Sequence, residues 1–262
     1  MGSGMITLGI IFSHNATASA ADIPQPVASA VEKLQQVSNY TWLTSVEMPG
    51  APGDFPPVMG KTDATAGTIL DSGAGSKAVQ SVRKSGAEVI KTARGWLTAA
   101  ELSAMPGGEA MAGFANTKTP ADELALLMPK LDEFKTTTDG SFIAAMKSPV
   151  AREFLENSRS NGPRFTPGGQ TPAGSRDFPG NNQGKAPGRP TINDATAHFQ
   201  IWLTNGLPQK YVLTISASVT TMGVRKDIKK VEKVQIGAFD TTKVVLPAAA
   251  EAKMRLGAGP KR

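Results

Sequence analysis

The sequence predicts an α+β protein in which a few helices group against one twisted, mostly antiparallel sheet. Three observations carry that prediction. Strand-length runs alternate apolar and polar residues, short turn signals join many of them, and several segments carry helix caps or a one-sided apolar stripe. Counting them gives eight or nine strands and three or four helices.

A helix is expected over about 25–37, with Pro26 in its first turn and Val27, Val31, Leu34 and Val37 on one face. A strand at about 38–48 sets Tyr40, Trp42, Thr44, Val46 and Met48 on one parity. After a Pro/Gly loop from Pro49 to Pro57, strand-like pieces follow at about 59–70, 76–84 and 87–94, the last two joined by Ser85-Gly86. Thr98 and Glu101 form a capping box for a helix at 98–104. A Gly/Met/Ala-rich loop runs from Pro106 to Asn116. Thr119-Pro120-Ala121-Asp122 then starts another helix, which Pro129 kinks or ends. A strand at about 140–146 leads to a helix at 149–158. Residues 159–190 are rich in Gly, Pro, Asn, Gln and Ser and read as a disordered insertion. Ala195 to Leu203 and Lys210 to Met222 flank Asn205-Gly206, a strong hairpin signal. Strands at about 224–237 and 241–246, Pro247 and a short terminal helix close the chain.

The first 22 residues read as an export signal. Met5 to Phe12 is a short apolar run, and Ala16-Thr17-Ala18-Ser19-Ala20-Ala21 offers cleavage after Ala20 or Ala21, although no Lys or Arg precedes the run. The run is too short to span a bilayer, which takes about 20 apolar residues. The expected organisation is a signal at 1–21, one domain at 22–256 interrupted by the insertion, and a basic tail at 257–262. The chain has no Cys, which excludes disulfides, thiolate metal sites, a cysteine nucleophile and a lipid-modified cysteine. Of the net charge of +6, residues 159–190 and 253–262 carry +4 each, leaving −2 for the rest. Basicity placed there favours contact with an anionic surface over a shaped nucleic-acid groove.

Motifs for chemistry are sparse. Behind the signal, His198 is the one histidine, at mid-strand on the parity of Gln200, Trp202 and Thr204. A Ser-His-Asp triad would have to use it, and with no Cys a transition-metal site is not expected. Ser81-Val82-Arg83-Lys84 matches S-x-x-K, but on a strand and without S-D-N or K-T-G. Asp122, Glu123, Asp132 and Glu133 read as helix-end and solvent-face charges. The run Arg225, Lys226, Lys229, Lys230 and Lys233 splits between two strand faces. It suits an edge strand guarded by lysines, or an anionic-headgroup or partner-binding patch; no interleaved aromatics support nucleic-acid binding. Trp42, Trp96 and Trp202 each lie in or beside a strand. With Tyr40, Met48 and Phe142 they are the candidate lining of an apolar ligand cleft, with core anchoring as the competing reading.

Several short segments together resemble a known group: Asn39-Tyr40-Thr41-Trp42, Gly60-Lys61-Thr62, Gly95-Trp96-Leu97, Trp202 to Gly206, and the ending Val234 to Pro247. The chain resembles uncharacterised exported bacterial proteins and, in element order, the LolA-like superfamily of lipoprotein carriers and lipid-binding lipoproteins. The resemblance covers roughly 25–158 and 191–254. It implies a curved antiparallel half-barrel with helices packed on its concave face, holding acyl chains or another apolar ligand without catalysis. The missing lipobox cysteine and the insertion depart from that pattern.

The expected function is therefore an exported, periplasmic or extracellular, non-enzymatic protein that binds or carries a lipid. Trp42, Trp96, Phe142 and Trp202 would line its cleft, with the helix at 120–131 as lid. The alternative is a structural or interaction module of the cell envelope with a filled core. No cofactor, metal or nucleic-acid partner is expected; a lipid or acylated ligand is, and so is an anionic membrane surface met by the insertion and tail.

Overall fold

The computed structural model describes residues 23–49, 55–75, 78–105, 108, 111, 114, 117–161, 191–221 and 223–257. The export-signal reading, residues 162–190 of the insertion and the tail from 258 lie outside them. The elements are α1 (Gln25–Gln36), β1 (Asn39–Glu47), β2 (Val58–Asp63), β3 (Gly67–Ser72), β4 (Val79–Lys84), β5 (Ala87–Thr92), β6 (Gly95–Thr98) and α2 (Ala99–Ser103). They continue with α3 (Pro120–Leu127) and its 3₁₀ extension Met128–Lys130, β7 (Leu131–Thr136), β8 (Phe142–Met146) and α4 (Ser148–Asn161). β9 (Thr191–Thr204), β10 (Leu207–Thr221), β11 (Val224–Gly237) and α5 (Ala248–Gly257) complete the chain.

The strands form one open, curved sheet in the order β6-β5-β4-β3-β2-β1-β11-β10-β9-β8-β7, antiparallel at every step. Two meanders, β1 to β6 and β7 to β11, meet where β1 pairs with β11. This is the expected α+β class.

Register assigns each side chain to a face. The row Trp42, Gly60, Leu70, Ser81 and Ile90 runs across β1 to β5, and Trp42 faces Ile236 of β11. That inner face continues through Tyr211, Leu213 and Ile215 of β10 and Phe199 and Ile201 of β9, all buried. Helix α1 buries Val27, Ala30, Val31 and Leu34 against it. Helix α3 contributes Leu124, Leu127 and Met128, and α4 contributes Ala151 and Leu155. Helix α2 sets Leu102 against Ile90. Helix α5 lies on the opposite, outer face over β4 to β6, packing Ala250 and Met254 on Val82, Val89 and Trp96. Among the described residues, no helix is long and apolar enough to cross a membrane.

Local chemistry explains where the chain turns. Ser85 and Gly86, and Asn205 and Gly206, all take positive φ, as type I′ hairpins demand. Thr98 and Glu101 form the reciprocal capping box, and the Thr119 hydroxyl caps α3 through the Asp122 N–H.

Several boundaries differ from the sequence reading, and α4 runs on to Asn161, into the segment expected to be disordered from 159. The run 59–70 is two strands, because the Asp63 carboxylate accepts the N–H groups of Thr65 (2.8 Å) and Ala66 (2.7 Å) and closes a turn. Gly95-Trp96-Leu97 is itself a strand, β6, entered through a turn in which the Thr92 hydroxyl meets Gly95 O and the Arg94 N–H. Residues 131–136 are a strand rather than a helix end, with a bulge at Glu133 (φ 56°) between paired Asp132 and Lys135. Residues 241–246, expected as a strand, form none. Both edges of β1 are taken by β2 and β11, and Asn39 occupies this segment instead, its side-chain oxygen accepting from Thr242 N at 2.6 Å.

Candidate functional site

Two of the three tryptophans stand away from the predicted cleft. Tyr40 and Trp42 lie on the inner face and are buried; Phe142, opposite Ile201, is on the same face and half-buried against the core. Met48 is half-buried past the end of β1. Trp202 belongs to the row Trp202, Lys210, Gln235, Leu43 and Met59, which is the outer face. Its indole N–H donates to Asp139 at 3.1 Å, and the Lys210 ammonium sits 4.6 Å from its ring centroid. Trp96 is also on the outer face, under α5. β6 and β9 are eight strand spacings apart in the sheet order, roughly 38 Å along the sheet at the usual spacing. A cleft shared by Trp42, Trp96, Phe142 and Trp202 is therefore corrected: strand parity divides them between two faces.

Trp42 is a core anchor of a particular kind. A Cβ built on Gly60 would stand 2.0 Å from the Trp42 Cε2, so the indole lies flat over the glycine of β2. Its N–H donates to the Thr62 hydroxyl at 3.3 Å.

The groups that do converge are polar and lie where α3 crosses the inner face. The Tyr211 hydroxyl, from a fully buried residue of β10, donates to Glu123 Oε2 in the first turn of α3 at 2.5 Å. On β11, Lys230 and Glu232 point to the same face, opposite Ile215 and Leu213, and pair at 2.8 Å with side chains only 18% and 14% exposed. Tyr40 stands nearby, its phenol facing Thr119 and the backbone of Ala121. Around them lie Leu124, Leu213, Ile215 and Val234, all buried.

These surroundings govern protonation. Glu123 keeps some exposure as a residue, but removal of its carboxyl group from water is the leading influence on it. With the negative charge of Glu232 beside it, this pushes its pKa up to about 8, against the Tyr211 hydrogen bond, Lys230 and Lys118, which pull it down. Tyr211 is raised well above an ordinary tyrosine, first by burial and then by Glu123. Tyr40 is raised by burial. A carboxyl group favoured in its neutral form beside a half-buried ion pair, set in an apolar wall, is the kind of perturbed cluster that marks functional sites.

Sequence reading placed Glu123 on a solvent face and Lys230 in an edge-strand charge run. Two signals pointed inward. Glu123 follows the spacing of Pro120, Leu124 and Leu127, and Lys230 and Glu232 share the parity of Val234 and Ile236. The edge reading holds for the first half of β11: residues 224–230 pair with β10, whereas pairing with β1 begins at Val231.

The remaining motifs stand outside this cluster. Ser81 is fully buried and donates to Glu88 at 2.7 Å, whereas Lys84 lies on the other face and pairs with Glu251, so S-x-x-K assembles no nucleophile. His198 is exposed on the outer face. Asp132 pairs with Lys147 at 3.2 Å. Among the described residues, no three of His, Asp and Glu gather as a metal site requires. A shallow cleft of about 510 Å³, lined by Asn39, Asp63, Asp240 and Lys243 among others, lies at the mouth of the β1–β2 pair, away from the cluster.

No protein-family model matches this chain, and no curated protein matches it.

Proposed function

We propose that the protein is an exported, non-enzymatic binder of a lipid or other amphipathic ligand. The ligand lies between the inner face of the sheet and the helices over it, with α3 as the movable cover. One observation carries this reading: the sheet is open and eleven-stranded, and its apolar inner face is covered by short helices rather than closed by its own edges. A cover made of an eight-residue helix can lift without breaking a strand ladder, whereas a closed barrel cannot open in that way. An alkyl chain gains about 0.8 kcal/mol per buried CH₂, so shape and apolarity suffice for retention. The basic residues of 159–190 and of the tail would favour an anionic membrane as the place of loading or delivery.

The second reading, an envelope interaction module with a filled core, draws on the complete burial of Leu124 and Leu127 beneath α3. Native mass spectrometry with lipid extraction, on mature protein purified without detergent, separates the two. A discrete added mass matching a lipid supports the carrier. A clean apo mass that ignores added lipids overturns it and leaves the filled module. On the carrier reading, replacing Trp202 by Ser leaves that added mass in place, because Trp202 is on the outer face.

A further inference from the structure

We propose that the cluster of Glu123, Glu232, Lys230 and Tyr211 receives the primary ammonium group of an amphiphile whose alkyl chain runs along the neighbouring apolar wall. The assignment rests on the binding reading above and names the class of head group that it takes.

Charge balance selects the head group. Two carboxylates, Glu123 and Glu232, share one cluster cation, Lys230, which pairs with Glu232 at 2.8 Å, so the cluster is neutral only while Glu123 carries a proton; Lys118, which also acts on Glu123, is exposed. An entering ammonium can replace the Glu123 proton: R–NH₃⁺ binds, the carboxyl group releases H⁺ to the solvent, and the loaded site holds two anions and two cations. It is neutral again. A carboxylate or phosphate head has no such exchange. It would need Lys230, which is already paired inside the wall, and would add an uncompensated negative charge beside Glu232. A divalent cation meets two carboxylates of which one already pairs with an ammonium, and among the described residues no third ligand joins them. Tyr211 fits the same role, since its hydroxyl donates to Glu123 and holds the carboxyl group in place for the incoming donor.

The walls fit an alkyl chain. Leu213 and Ile215 stand opposite Glu232 and Lys230 on β10, and Leu124 of α3 is buried on the same side. Glu123 itself rides on α3, so lifting the cover exposes the polar group and the apolar wall together.

The test compares dodecylamine, dodecanol and dodecanoate, all below their micelle concentrations, by titration calorimetry at pH 6.5 in two buffers of different ionisation enthalpy. The expected result is binding of the amine at least tenfold tighter than the alcohol, dodecanoate weakest, and release of close to one proton per amine bound. In Glu123→Gln the amine-to-alcohol ratio should fall to near one and proton release should vanish. Equal affinities, or amine binding without proton release, would overturn the assignment while leaving the carrier reading intact. If none of the three binds, the carrier reading falls and the assignment with it. Proton release is read on the unmodified protein, so a variant that fails to fold cannot shelter the assignment.

Discussion

At the scale of single residues, Glu123 is the group whose environment departs most from that of a solvent-exposed carboxylate, and its consequences can be read without any ligand. Its carboxyl group titrates near 8 in the folded protein against an ordinary value of 4.5, because burial and Glu232 outweigh the help of Tyr211, Lys230 and Lys118. The sign follows from proton counting. Between pH 4.5 and 8 the folded state keeps a proton that the unfolded chain has released. The stability tied to this group is therefore full below pH 4.5 and is lost as pH rises toward 8, with a slope of at most about 1.4 kcal/mol per pH unit. Glu123→Gln keeps an acceptor for the Tyr211 hydroxyl and cannot ionise. Chemical denaturation at pH 5, 6.5 and 8 should show the variant gaining on the parent protein with each step, by a few kcal/mol in all. Parallel pH profiles would mean that the carboxyl group ionises freely in the folded state. The same reasoning explains why sequence alone passed over this residue: an acid in the first turn of a helix is ordinarily a dipole partner in water. Only its burial against β10 and β11, with Glu232 beside it, makes it otherwise, and those strands lie far along the chain.

At the scale of elements, what was legible depended on whether the signal was local. The Asn205-Gly206 and Ser85-Gly86 turns, the Thr98 capping box and the Thr119-Pro120 start of α3 are short-range backbone chemistry, and all four form as read. The split of 59–70 turned on one aspartate closing a turn in a sequence without a paired turn signal, and β7 turned on a bulge. Neither leaves a mark in apolar periodicity. The β1–β2 pair shows how far such pairings constrain side chains. Trp42 needs a glycine opposite it, and Gly60 has no positive φ to explain its presence, so the reason for it is the indole. Gly60→Ala should cost about 1–3 kcal/mol in thermal or chemical unfolding, as overpacked cores do. In Trp42→Leu the same change at Gly60 should be nearly neutral, a coupling that a double-mutant cycle reads directly. Additive effects would mean that the strand, not the indole, demands the glycine.

At the scale of the whole molecule, the fold class followed from the sequence, whereas the site did not, and the reason is geometric. Alternation tells which residues share a face of their own strand, but which face lies under the helices is decided by how two meanders meet at the β1–β11 pair. Alternation sets Phe199 and Trp202 on opposite faces of β9, and only that junction puts Phe199 inside and Trp202 outside. The same junction leaves the inner face roofed by α1, α3 and α4 and the outer face of the β7 to β11 half free of helix among the described residues. If that roof is a cover, α3 must move relative to the sheet when a chain enters. Two exposed positions report on it: Leu126 on α3, 49% exposed, and Met59 on β2, 53% exposed. The chain has no native cysteine, so Leu126→Cys with Met59→Cys can be spin-labelled without further substitution. Pulsed dipolar spectroscopy should give one narrow distance in the empty protein, and a longer or broader one when dodecylamine is added. A distance unchanged by a ligand whose binding calorimetry has established would put that ligand somewhere other than beneath α3. An unchanged distance with no binding would agree with the burial of Leu124 and Leu127 as a permanent core.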